Sequence, residues 1–425
     1  MNPCLSQAAM LLGRVWRSGV LHMLVSLTFV QGLTFATQVA AARFLSVADF
    51  GTVRVIETFL LITFVPAGLG MITVIVKAAA ETPDEQQRHK LLFNALLLTS
   101  TASLIASLAL QAVFPLLGFT AQTSAYLALT AWLLAAMNIS RVGVGYFQGL
   151  KQIQRMAATN IWFSLIAFAL TISGAASGGL SGWAIGRIAG QCLFAAAIVW
   201  TLRAAIRPKI DLRLLKSLAG LGTLTGLAYA VDSIASSADV LYLEQLLNNT
   251  QQVGVYGAAN IVIVGGLLLP LAISSVAFPH LAEHAADRPR LLATARTTLM
   301  RTTLVMLPIS VGLYLCAPLL TWVIGEAYAP AVPLLQIMCL GLLPSAVRLV
   351  LSTWLFAIGR PNGSSLANVL GIVVNLGAIV WLVPIMGITG AAWAFVMTTV
   401  ARLLAFALAL RWIYQTDKKQ IRQIC

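Results

Sequence analysis

Charge is what this 425-residue sequence has least of. Asp, Glu, Lys and Arg together make up only 9% of it and hydrophobic residues 59%, whereas an average soluble domain is roughly 25% charged. A chain this poor in charge cannot cover a soluble surface of its size, so the sequence belongs in a membrane. Acidic residues are scarcer still, 13 against 27 basic ones. No GxxxxGK[ST] loop occurs, so the chain has no phosphate cradle of its own for a nucleotide. The five cysteines (Cys4, Cys192, Cys316, Cys339 and Cys425) avoid the outer loops and lack metal-ligand spacing, which gives neither a disulfide framework nor a zinc site. Long outer connections are missing as well. Those at 118–121, 175–178 and 386–388 are a few residues each, too short to build the extracytoplasmic site of a polymerase or ligase.

What is present is a series of continuous apolar runs. A chain in hydrocarbon must satisfy its backbone internally, as helices or a closed barrel. Barrel strands would alternate, whereas these runs are continuous and long enough for helices that cross a bilayer. The expected spans are about 18–42, 50–76, 91–117, 122–147, 155–175, 179–202, 217–242, 252–278, 298–324, 330–357, 364–385 and 389–411. The first is too long for the apolar core of a cleavable signal and continues into Gln31 and Gln38.

Basic residues provide an independent check. Twenty-one of the 27 fall on the side of the N-terminus, in groups from Arg14 and Arg17 to Lys418, Lys419 and Arg422, while the opposite side holds only Arg43 and Arg54. By the positive-inside rule both termini are cytoplasmic. The formal charge of +14 is then a record of topology that faces anionic headgroups, and nucleic acid is not an expected partner.

The basic loop at 203–216 divides the spans into six and six, giving lobes at 1–205 and 206–425. Short echoes recur at a shift slightly above 200 residues. Phe50-Gly51-Thr52-Val53 answers Val253-Gly254-Val255-Tyr256, Pro66 answers Pro270, and Gly179-Leu180-Ser181-Gly182-Trp183-Ala184 answers Gly387-Ile388-Thr389-Gly390-Ala391-Ala392. Because six is even, the two lobes run parallel, an arrangement in which transporters hold substrate between halves and rock to alternate access. Pro66 and Pro270 mark either flexing points or fixed kinks.

Ala42-Arg43-Phe44-Leu45-Ser46-Val47-Ala48-Asp49-Phe50-Gly51 resembles the first outer loop of polysaccharide-type flippases, with its Ala-Arg-x-Leu-x-x-x-Asp-Phe-Gly pattern. The segment from Asp239 through Val253-Gly254-Val255-Tyr256-Gly257-Ala258-Ala259 to Pro279 is similar to their seventh and eighth helices. Gly359-Arg360-Pro361 and Pro384-Ile385-Met386-Gly387-Ile388-Thr389-Gly390-Ala391-Ala392 resemble their C-terminal signature. The resemblance runs over nearly the whole chain. It implies the oligosaccharide branch of the superfamily that also contains multidrug/cation antiporters and peptidoglycan-precursor flippases. The implied activity moves an undecaprenyl-diphosphate-linked oligosaccharide from the cytoplasmic to the outer leaflet. Twelve spans, rather than the fourteen typical of peptidoglycan-precursor members, argue against that branch.

Topology leaves four arginines inside the spans: Arg141, Arg187, Arg348 and Arg402. A charge at mid-membrane costs at least ~2.5–3.5 kcal/mol and normally faces a cavity or a partner. All four come from equivalent helices of the two lobes and lie on polar stripes, Arg141 with Asn138, Gly145 and Gln148, and Arg187 with Gln191. One reading is a cationic cavity for the diphosphate, since guanidinium forks match phosphate oxygens and stay charged when buried. The other is snorkelling or pairing with Glu57, Asp232 or Asp239. Gln31 and Gln38, with Thr28 and Thr34, form a stripe on the first span that either meets sugar hydroxyls or joins helices. Asp232, Ser236 and Asp239 share one face of the seventh span, and Asn368, Asn375 and Thr398 offer further oxygens. These suit Na+ or H+ coupling, or else interhelical hydrogen bonding. The resemblance supports a coupling site in the second lobe, with Asp239 as its best-matched acid.

The expectation is therefore an all-α integral membrane protein of twelve transmembrane helices in two parallel six-helix lobes. It would not be an enzyme and would need no cofactor beyond a coupling Na+ or H+. It would work as a monomer in the bacterial cytoplasmic membrane, with lipid-linked oligosaccharide and membrane lipids as partners. A polysaccharide polymerase or chain-length machinery is a candidate protein partner. The rival readings are a cation-coupled multidrug antiporter of the same fold and a membrane polysaccharide polymerase.

Overall fold

The computed structural model describes residues 20–283, 287–358 and 361–424. Outside the described residues lie Arg14, Arg17, Cys4, Cys425, Gly359 and Arg360, and the side chains of Thr28, Asp232, Ser236, Arg288, Lys418, Lys419 and Arg422. In chain order the helices are α1 (Val20–Phe44), α2 (Val47–Ala67), α3 (Met71–Glu81), α4 (Glu85–Val113), α5 (Ala121–Thr130), α6 (Leu133–Gly149), α7 (Ile153–Leu202) and α8 (Leu212–Leu247). They continue with α9 (Thr250–Gly266), α10 (Leu268–Glu283), α11 (Arg288–Leu315), α12 (Leu319–Ile324), α13 (Ala331–Ala357), α14 (Pro361–Met386) and α15 (Ile388–Ile424). No strand occurs among the described residues.

Among the described residues, nine helical stretches are long and apolar enough to cross a membrane, ten if α5 and α6, bent by 40° at their junction, count as one span. Much of their apolar surface is not covered by protein. Only 11% of the most apolar stretch is buried in α7, and the same in Pro289–Leu315. Trp200, Trp322, Leu116 and Ile105 stand exposed. In water such surface would be a large unburied patch, but in a bilayer it is the lipid-facing side.

Polar residues between spans start the helices. Ser46 caps α2: its hydroxyl accepts the Asp49 N–H at 3.1 Å, as an N-cap serine does, and donates to Asp49 Oδ2 at 2.7 Å. Asp84, Thr120, Asn249 and Asp287 accept N–H groups at the starts of α4, α5, α9 and α11 in the same way. The basic connection before α8 is anchored by Asn94 of α4, fully buried, which donates to Lys209 O at 2.9 Å and accepts from Asp211 N at 3.0 Å.

The 50 residues of α7 are a hairpin and not one rod. Gly178 (φ −132°, ψ 15°) and Gly179 (φ 58°, ψ −138°) leave helical geometry, and the positive φ at 179 is one that glycine adopts without strain. A Cβ on Gly182 would fall on the Gly174 carbonyl, one on Gly186 on the Leu170 carbonyl, and one on Gly190 against Ala167. Those pairings run antiparallel from the turn, so the two arms lie backbone to backbone. Their division agrees with the expected spans 155–175 and 179–202.

The second expected span, 50–76, is broken rather than continuous. α2 ends just after Pro66, Leu69 and Gly70 both have positive φ (52° and 59°), and α3 then begins. The carbonyls that the break releases are met by side chains. Asn138 Nδ2 donates to Phe64 O at 2.7 Å, Thr99 Oγ1 to Gly68 O at 3.1 Å, and Ser103 Oγ to Ala67 O at 3.4 Å. Phe64 O and Gly68 O keep one backbone donor each, Gly68 N and Met71 N at 3.2 Å, and the side chains supply further donors where no water reaches.

Packing divides the chain into two compact units, Met1–Leu45 with Phe59–Ala230, and Ser46–Thr58 with Val231–Cys425. In the first, α1 and α6 pack on α7, and α3 and α4 on α6, around a core that includes Met71, Ile75, Leu92, Val142, Tyr146 and Ile198. In the second, α13 packs on α9, α10, α11 and α15, and α15 on α14, with a core around Leu281, Leu351, Trp354 and Phe406.

Candidate functional site

The expected site residues fall in three groups. In the first unit, α6 is packed along almost its whole length, and from Leu133 to Leu150 Arg141 is the one exposed residue. The members of its expected stripe have other roles. Asn138 is buried and secures the α2 break, also reaching Ser103 Oγ at 3.0 Å, while Gly145 packs against α3 at Ile72, Ile75 and Val76. Helix packing thus turns the amide and the glycine inward and leaves the guanidinium facing open space. Half-buried Arg187 of α7 and Tyr229 of α8 are in electrostatic reach of Arg141, with no carboxylate beside it among the described residues. Tyr229 is itself positioned by Phe64 at the α2 break, ring centroids 5.6 Å apart in an edge contact. Gln191, expected to extend the Arg187 stripe, donates to Ser140 Oγ at 2.9 Å and ties α7 to α6. On α1, Gln31 is exposed and Gln38 half-buried, while the Thr34 hydroxyl is spent on Val30 O at 2.9 Å.

The second group surrounds Asp239, which is buried on α8 and accepts the hydroxyl of Tyr256 from α9. Arg54 of α2 crosses to the same place. Its Nη2 donates to Asn260 Oδ1 at 3.0 Å, its aliphatic stem lies over Gly257, where a Cβ would meet it, and Asp239, Glu57 and Tyr256 are all in its electrostatic field. Asn260 and Gly257 of α9 thus anchor the Arg54 side chain. The signature residue Gly51 is explained one turn earlier: a Cβ there would strike Thr250 O, and one on Gly254 would strike Val47 O. The repeat-related glycines are thus the point where α2 and α9 cross.

The third group lies between α13, α14 and α15. Arg402 is buried with its stem over Gly371 of α14, and Arg348 of α13 sits 5.9 Å from the ring centroid of Phe406, one turn beyond Arg402. Asn375 donates to Thr398 Oγ1 at 3.2 Å, Asn368 is buried on the same helix, and Ser352 meets Ser364 at 3.3 Å. Asn375 and Thr398 thus join α14 to α15.

Sequence reasoning passed over Tyr229, Tyr256 and Asn260. The last two are four residues apart on one helix face, a spacing that could have drawn attention to them. Tyr229 becomes visible only once α8 is placed beside the α2 break.

Residues 40–333 match the profile of the family described as polysaccharide biosynthesis protein. The chain belongs to that family. No curated protein matches the chain in sequence. Among solved structures, an inward-facing multidrug resistance MATE family transporter of the MOP superfamily aligns over 93% of this chain and 99% of its own, at TM-score 0.78 and 15% identity. The lipid II flippase MurJ in an inward closed conformation aligns over 92% and 87%, at TM-score 0.76 and 17% identity. A MOP superfamily transporter from Pyrococcus furiosus, described as having a binding pocket of reversed polarity, aligns over 93% and 95%, at TM-score 0.68 and 14% identity. At these identities the likeness is one of fold: a multi-pass membrane protein built like the MOP transporters and flippases.

Proposed function

We propose that this family member is a flippase that moves an undecaprenyl-diphosphate-linked oligosaccharide from the cytoplasmic to the outer leaflet of a bacterial inner membrane by alternating access. The observation that carries this reading is Arg141, the one exposed residue between Leu133 and Leu150 of the otherwise packed α6, with a second arginine and a tyrosine in electrostatic reach and no carboxylate beside it among the described residues. A site of that charge suits a diphosphate and repels a cationic drug. The second unit carries two intramembrane arginines of its own, Arg348 and Arg402. The family's assignment to polysaccharide biosynthesis and the fold shared with a lipid II flippase support the same substrate class.

In this reading the chain crosses the membrane twelve times. The ten apolar spans are joined by α1 and by the second arm of the α7 hairpin, both termini are cytoplasmic, and the repeats form six-helix lobes at 1–205 and 206–425. Asp239 is the main coupling residue, for Na+ or H+, and Asn368, Asn375 and Thr398 of the second lobe offer further oxygens for the ion. The protein acts as a monomer and passes its cargo to polymerase or chain-length machinery.

The test is transport in proteoliposomes loaded with undecaprenyl-diphosphate oligosaccharide, scored by accessibility of the glycan to an external glycosidase. Arg141→Ala should slow transport about 10–100-fold, the weight of one charge-assisted hydrogen bond to phosphate, and Arg141→Lys should restore part of it. Wild-type transport by Arg141→Ala at normal protein levels would remove this arginine from the mechanism. Efflux of cationic dyes without any glycan transport would favour the multidrug antiporter instead.

A further inference from the structure

Arg54 belongs to the first half of the sequence, yet its segment Ser46–Thr58 packs within the second unit, and the rest of α2 from Phe59 onward packs within the first. The seam that α2 makes with α9 is stripped of side chains at Gly51 and Gly254. Specific polar contact at the seam comes from the next turn. There a hydroxyl from α9 donates to one buried carboxylate of α8, and a guanidinium from α2 lies within its electrostatic field. Tyr256 donates to Asp239, and Arg54 is fixed by Asn260, one turn from Tyr256 on the same face, with its stem laid on Gly257 between them. The charged and titratable groups acting on Asp239 are thus Arg54 from α2 and Tyr256 from α9, while Glu57 from α2 acts on Arg54. A buried carboxylate needs a counter-charge, and the positive group in reach of Asp239 is Arg54.

We propose that Arg54 is a tethered counter-cation that competes with the coupling ion for Asp239. While Ser46–Thr58 lies on α8 and α9, the guanidinium excludes a proton or Na+ from the carboxylate. When that segment withdraws, Asp239 loses its partner and takes up the cation. Ion binding and movement of the outer end of α2 are then mutually exclusive with the present arrangement, which makes the exchange of one positive charge for another the coupling step. This rests on the ion-coupled reading above and adds the residue that regulates it. The ligand is a small cation, either H+ or Na+.

The test needs no glycan. Full-length protein in liposomes is treated with dicyclohexylcarbodiimide, which modifies protonated carboxyls in apolar surroundings, and modification of Asp239 is followed by peptide mass. In wild type Asp239 should react slowly. Arg54→Gln should raise the rate about tenfold or more, the weight of one lost charge-assisted contact, and Arg54→Lys should bring it back toward wild type. Asn260→Ala, which removes only the oxygen that holds the guanidinium, should give an intermediate rate and serves as the comparison if Arg54→Gln does not fold. Protection by Na+ but not choline would identify Na+ as the competing ion. A rate that depends on pH alone would identify the proton. An Asp239 rate equal to wild type in both folded Arg54→Gln and Asn260→Ala overturns the proposal. Because no substrate is present, correct labelling alongside absent transport would count against the flippase reading and leave this one standing.

Discussion

The two proline-bearing helices, expected from the sequence to be equivalent, break in different ways. In the first half α2 and α3 are separated by two residues of positive φ, and the released carbonyls are met by Asn138, Thr99 and Ser103. Thr225 of α8 adds a longer contact to Gly70 O at 3.4 Å. In the second half the interruption between α9 and α10 is Leu267 alone, and its backbone stays helical (φ −80°, ψ −8°). Its N–H still reaches Ile263 O and Val264 O at 3.1 Å. Gly266 there faces leucine methyls of Leu313 and Leu342 and not polar groups. One break is a wide opening held by a dedicated polar network; the other is a slight bend held by apolar packing. A proline alone therefore does not set the size of a break in lipid. Donors that can take over the carbonyls do.

The largest effect should come from Asn138→Leu, which removes from a buried site the amide that donates to Phe64 O, Leu134 O and Ser103 Oγ. A loss of about 2–4 kcal/mol is expected, seen as earlier thermal unfolding in detergent. Gly68→Ala would push a methyl onto the Asn138 amide and should cost about 1–3 kcal/mol. That cost should shrink in an Asn138→Ala background, because the two positions share one contact. Thr99→Val with Ser103→Ala should cost about 1–2 kcal/mol, since the break's remaining bonds survive. Gly266→Ala should be mildest, about 1 kcal/mol or less, because the methyls it approaches can shift. Equal sensitivity of Gly68 and Gly266 in the same unfolding assay would erase the distinction between the two breaks.

Much of the fold was legible because hydrocarbon imposes a rule on every residue it touches. Span length, continuous apolar runs and basic loops are local quantities, and the hairpin at Gly178 and Gly179 sits in the expected gap between spans. The break at Gly70 was signalled only by Pro66, since its stabilising donors come from α4 and α6, distant in sequence. The arginines were legible as residues topology could not use. What each faces was not, because a polar stripe read from 3.6-residue periodicity treats Asn138, Arg141 and Gly145 alike, and only packing separates the two that turn inward from the one that stays open. Asp239 stood out as a buried acid, but its partners could be named only after α2, α8 and α9 were brought together.

The glycine seam in α7 has a consequence for how the first arginine pair can be repositioned. With Gly182 on Gly174, Gly186 on Leu170 and Gly190 on Ala167, the arms mesh without intervening side chains. Sliding one arm by a single turn, about 5.4 Å, would drive ordinary side chains into the partner's carbonyls. The hairpin can therefore tilt or swing only as a stiff paddle, and Arg187, set beside the seam, has its depth in the bilayer fixed to that paddle like a mark on a ruler.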